Sequence, residues 1–137
     1  MVATLGRRTG VRFRMDGAFF RQDVLRWLRG RDLGYAIKVP FYTWLDLQAH
    51  IRVQRQWTAV APDVRGFALP EALTPWGFPI PVTIYRKRVH HRTAKNYQLD
   101  LFDPNDGYYE YSAVASHLAL TIRNLWHFAS SAESVGR

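Results

Sequence analysis

The chain has 137 residues, with 19 Lys and Arg against 11 Asp and Glu, a formal charge of +8 and no cysteine. That length suits one domain whose core needs no covalent staple, and the lack of cysteine excludes disulfides and thiolate metal sites. No apolar run reaches the roughly 20 residues of a membrane span, and MVATLGRRTG at the start lacks a secretory apolar stretch, so the expectation is a cytoplasmic protein with no membrane partner.

In chain order, residues 1–10 read as a frayed lead-in. Residues 11–16 read as a strand in which Val11, Phe13 and Met15 alternate with Arg12 and Arg14 before ending on Asp16. From about Gly17 to Arg31 the pattern is helical. Phe20, Val24, Trp27 and Leu28 share one face, with Arg21, Arg26, Arg29 and Arg31 mostly elsewhere. YAIKVP, residues 35–40, is a second, almost wholly apolar strand. Strand, helix and strand with short joints predict a parallel pair. Thr43 with Asp46 three residues on resembles a capping box opening another helix, with Trp44, Leu47, Gln48 and Ile51 at helical spacing.

From Trp57 the texture changes. Prolines at 62, 70, 75, 79 and 81 exclude a long helix, and short strands fit 57–60, 64–68, 81–89 and 97–102. DPNDG at 103–107 is a strong turn signal. YYEYSAVAS then reads as a strand leading into a last helix at about 118–129.

The positive excess favours polyanions, nucleic acid first and anionic membrane second. Arginine outnumbers lysine several-fold, as suits planar contacts with phosphate. Aromatic residues make up 15% of the chain. Some can stack on bases, although burial is the commoner fate of Trp and Tyr. The run YRKRVHHRTAK, residues 85–95, concentrates Arg86, Lys87, Arg88, Arg92 and Lys95. It is either a solvated strand edge or a ribbon of phosphate contacts. His90 and His91 are adjacent and so point apart on a strand, a poor metal pair. His117 and His127 lie in no ligand motif.

Asp16 has two readings: an N-cap for the following helix, or a metal ligand at a strand's carboxyl end, where open α/β sheets gather their ligands. Asp100, Asp103, Asp106 and Glu110 form a second acidic stretch, best read as turn chemistry. It does not meet the calcium-loop pattern. Phosphate-binding loops, serine-hydrolase elbows, zinc-protease helices and zinc-finger spacings do not occur.

RMDGAFFRQDVLRWLRGRDLGYAIKVPF, residues 14–41, and YRKRVHHRTAKNYQLDLFDPNDGYYEYSAVASHLAL, residues 85–120, resemble bacterial insertion-sequence transposases of the DDE type, transposase DDE domain group 1. The resemblance covers nearly all of residues 11–128. It implies an α/β fold, an incomplete RNase H-like core with an inserted β-rich region. Residues 11–56 would form the βαβα part of the core, 57–111 the insertion, 112–128 the strand and helix returning to the core, and 129–137 a divergent tail.

The resemblance further implies metal-dependent DNA cleavage and strand transfer in DNA transposition. Its cofactor would be Mg²⁺ or Mn²⁺ and its partner DNA, with a homodimer as an arrangement open to the intact transposase. Asp16 matches the second catalytic acid and would be a metal ligand. The family's first Asp has no counterpart in residues 1–10, and Glu133 does not sit in the family's Glu motif. Two-metal chemistry needs several carboxylates around ions about 3.5–4 Å apart. The expectation is therefore a truncated transposase fragment, inactive alone. The alternative is a non-catalytic basic DNA-binding module or a decayed remnant.

Overall fold

A computed structural model of the chain describes residues 2–7, 10–15, 17–31, 34–41, 46–88, 97–98, 105–106, 108–118 and 120–135. Among these the strands are β1 (Val2–Arg7), β2 (Gly10–Met15), β3 (Gly34–Lys38), β4 (Thr58–Ala61), β5 (Val64–Ala72), β6 (Ile80–Arg88), β7 (Tyr97–Gln98), β8 (Asn105–Asp106) and β9 (Tyr109–Ser116). The helices are α1 (Gln22–Gly30), α2 (Leu47–Val53) and α3 (Ile122–Val135), with a 3-10 turn at Gly17–Phe19. The fold is mixed α/β.

One sheet runs in the order β1-β2-β3-β9-β6-β5-β4, with β7 and β8 off this path. The sequence predicts β2 and β3 to be parallel, and they are, with α1 between them in the chain. The other described pairings are antiparallel, so the sheet is mixed. β9 lies between β3 and β6, and its Ala113, Val114, Ala115 and Ser116 are buried. Small side chains suit a central strand covered on both faces.

Alternation along the strands sorts residues between two cores. Ile80, Val82 and Ile84 of β6, Phe67 of β5 and Ile37 of β3 pack with Leu25 and Leu28 of α1 and Leu47 of α2. On the opposite face, Tyr85, Val60, Val64 and Val114 pack with Leu125 of α3. The Tyr85 hydroxyl donates to the Ile122 carbonyl at 2.8 Å, and its ring lies 4.9 Å from that of Trp126. Arg14 points to the same side, its guanidinium 5.3 Å from the Phe128 ring.

Several elements differ from expectation. Residues 2–7, read as lead-in, form β1, in register with β2 from Val2 opposite Met15 to Arg7 opposite Gly10. Their β-prone Val2, Thr4 and Leu5 are too few to signal a strand locally; pairing supplies the rest. The expected capping box is not formed at Asp46, because α2 begins one residue later. Asp46 occupies the N-cap position at φ 50° and makes no side-chain cap hydrogen bond. Thr43 and Trp44 lie outside the described residues. The last helix starts at Ile122, not 118, and continues to Val135. Ala and Glu are good helix formers, so the stretch read as a tail prolongs α3. Pro70 is accommodated where β5 slips register between Leu69 and Ala72, as prolines in strands generally are.

Candidate nucleic-acid interface

The end of β6 leaves the hydrophobic core and turns basic. Ile84 is wholly buried, Arg86 half-buried, and Arg88 exposed. These residues share one face, while Lys87 takes the other, in register with Glu110. The expected ribbon is thus divided by the pleat, with Arg86 and Arg88 together and Lys87 apart. Arg92 and Lys95 lie outside the described residues, as do Asp16, His90, His91, Asp100 and Asp103.

Sequence reading missed the partners that convert two arginines into a site. Arg65 of β5 stands directly opposite Arg86 in register, on the same face. Like charges placed opposite each other destabilise a strand pair, so this pairing favours an anion between them. Trp57, just before β4, and Tyr109 of β9 flank Arg86 from its two sides in the sheet. The guanidinium carbon lies 4.2 Å from the Trp57 ring and 4.5 Å from the Tyr109 ring. Trp57 is itself held by an edge-to-face contact with Phe67, at 4.6 Å, and by donating its indole N–H to the Gln54 carbonyl at 3.2 Å.

The stack fixes the guanidinium plane and directs its donors along its edge. The buried Nε of Arg86 finds no acceptor among the described residues. Such a donor costs about 1–3 kcal/mol unless a ligand or water meets it. The adjoining groove, about 350 Å³, is lined by Arg65, Arg86, Arg88 and Tyr109, by Ala59 and Ala61 on its floor, and by Asp63. Asp63 adopts φ 62° at the turn from β4 to β5, and its carbonyl accepts the Arg88 N–H at 2.9 Å. That bond ties the end of β6 to the turn. Three arginines against one aspartate make the groove electropositive, and the stacked Arg86 presents a planar fork suited to phosphate.

The remaining candidates do not converge on a second chemistry. His117 donates its backbone N–H to the Tyr35 carbonyl, and its ring stacks on Tyr35 at 6.2 Å. His127 is exposed on α3. Among the described residues no three His, Asp or Glu side chains are grouped so as to hold a metal ion. The arginine stack could be sought in sequence only by asking which aromatic residues the strand register brings beside Arg86, and that register is not written locally. Comparison with protein families, curated proteins and solved structures finds no match to the chain.

Proposed function

We propose that the chain is a DNA-binding segment of a DDE-type transposase, gripping the phosphate backbone through the groove at the ends of β5 and β6. A single copy does not cut DNA, and any cutting needs acids supplied by a second copy. The observation that carries the binding is Arg86 stacked between Trp57 and Tyr109 with Arg65 opposite it. Aromatic stacking restrains the side chain in advance of binding, so less entropy is lost when a phosphate docks.

The transposase assignment rests on the resemblance of residues 14–41 and 85–120. The RNase H-like reading is supported by the β2–α1–β3 unit, two parallel strands joined through a helix. In that reading the inserted β-rich region extends the core sheet, since β9 hydrogen-bonds to both β3 and β6. Asp16, which follows the last residue of β2 in sequence, would contribute one carboxylate to a Mg²⁺ or Mn²⁺ centre. One carboxylate cannot hold two ions, so the other acids must come from elsewhere.

The test is salt-dependent binding to duplex DNA. Replacing Arg65 and Arg86 together by Gln should weaken binding on all sequences alike, because phosphate contacts carry no base information. The slope of log K against log salt should shrink by about 2, roughly one unit per contact. An unchanged slope contradicts the proposal. The arginine stack equally supports a second reading, a basic DNA-binding module without catalysis, which differs from the first only in Asp16. A nicking assay with Mg²⁺ or Mn²⁺ separates them. Activity of the chain that disappears in Asp16→Ala favours a metal centre completed by a second copy. No nicking by either protein, with DNA binding intact, favours the module.

A further inference from the structure

We propose that α1 carries a second DNA contact, and that one DNA segment lies across both α1 and the β5–β6 groove. This rests on the DNA-binding reading above. α1 buries Leu25 and Leu28 and exposes Arg26, Trp27 and Arg29, with Arg31 exposed just beyond its end. The arginines are not loose. Arg29 and Arg26 hold their guanidiniums 4.7 and 5.8 Å from the Phe78 ring, and Arg31 lies 4.4 Å from the ring of Trp27. Arg26 also donates to the Trp76 carbonyl at 3.4 Å.

Trp27 remains 47% exposed, an uncommon condition for a tryptophan. It borders an open depression of about 510 Å³ shared with Arg26, Arg31 and Gln22. The one acid there, Asp23, is held below the usual carboxylate range by its hydrogen bonds from Arg21, which neutralises it locally. The patch therefore repeats the features of the groove: arginines laid on aromatic rings around a concave surface.

Its position relates it to the groove. Arg86 shares its face of β6 with Ile84, Val82 and Ile80, which pack with Leu25 and Leu28, so α1 and the groove lie on the same side of the sheet. Phe78, beneath Arg29, lies two residues before β6, and Arg86 lies near the far end of that strand. At about 3.3 Å per residue, the eight steps from Phe78 to Arg86 put the two patches roughly 26 Å apart. That is about eight base pairs at a 3.4 Å rise. A free phosphate or one nucleotide cannot reach both; a continuous polyanion can.

The experiment titrates a labelled duplex of about 12 base pairs, long enough at that rise to span both patches, across a salt series. The proteins are wild type, Arg26→Gln/Arg29→Gln, and Arg65→Gln/Arg86→Gln. The proposal expects each double variant to lose about 2 units of salt slope, and wild type to bind one duplex per chain at saturation. Arg31→Gln, at a residue resting on a surface ring, should lose about 1 unit and covers the case in which the α1 double variant fails to fold. Unchanged slopes in the α1 variants, with the groove variant weakened, overturn this inference and leave the DNA-binding reading standing. A loss in the α1 variants alone overturns both, whereas two duplexes bound independently by one chain overturn this inference and leave the DNA-binding reading standing.

Discussion

Arg86 shows how a residue's role depends on what surrounds it. In the sequence it is one cation in a basic run; in the fold it is half-buried between two rings, facing a second arginine across the strand pair. Tyr35 is the corresponding case of a neutral group. Burial pushes its hydroxyl up to about 12 from an ordinary value of 10, against a smaller opposing influence of the Arg29 charge. A group whose folded pKa is raised contributes stability fully present below the unfolded value and lost as pH rises toward the folded one. Between pH 10 and about 12 the unfolded chain gives up this proton while the folded chain keeps it, so the fold weakens. Wild type should lose roughly 1 kcal/mol through this group by about pH 11. Tyr35→Phe should show a correspondingly smaller drop in urea unfolding free energy over that interval. An equal drop in both proteins would remove Tyr35 from the account. The basic run was legible as a candidate, but Arg65, Trp57 and Tyr109 were not, because twenty or more residues separate each from Arg86 and only the register joins them.

At the scale of elements, β5 and β6 form the scaffold of the groove, and their fit is set by a glycine. Gly66 stands opposite Tyr85, and a Cβ there would come within 2.8 Å of the tyrosine ring and 3.0 Å of the Ile84 carbonyl. The ring cannot retreat, since its hydroxyl is bonded to α3 and its face packs on Trp126. Gly66→Ala should therefore destabilise the protein by about 1–3 kcal/mol, the usual cost of overpacking, measured as a shift of the urea midpoint without a change in slope. A midpoint matching wild type would mean that the ring has room to move. Alternation made β2 readable, a nearly all-apolar run made β3 so, and the short joints of the strand–helix–strand unit gave the parallel pair. β1 was not readable, because its strand character comes from pairing with β2. The start of α2 was misplaced because Asp46, expected inside the first turn behind a Thr43 cap, itself stands at the N-cap position at φ 50° without bonding through its side chain.

For the molecule as a whole, the excess of positive charge acquires direction. Arginines laid on aromatic rings occur in the groove and again beside α1, on the same side of the sheet, whereas α3 and its core cover the other. The candidate metal ligand lies outside the described residues, so the central claim is the proposed grip on DNA. No helix among the described residues is long and apolar enough to cross a membrane. Composition alone suggested a polyanion partner, but it could not say which arginines face together, since that depends on the pleat and on the order of strands in the sheet. The most direct measurement is the salt dependence of duplex binding for wild type beside Arg65→Gln/Arg86→Gln. The account predicts a steep loss of affinity with salt in wild type and a slope smaller by about 2 in the variant, equally on unrelated sequences. Equal slopes, or wild-type affinity that stays level as salt rises, would contradict it.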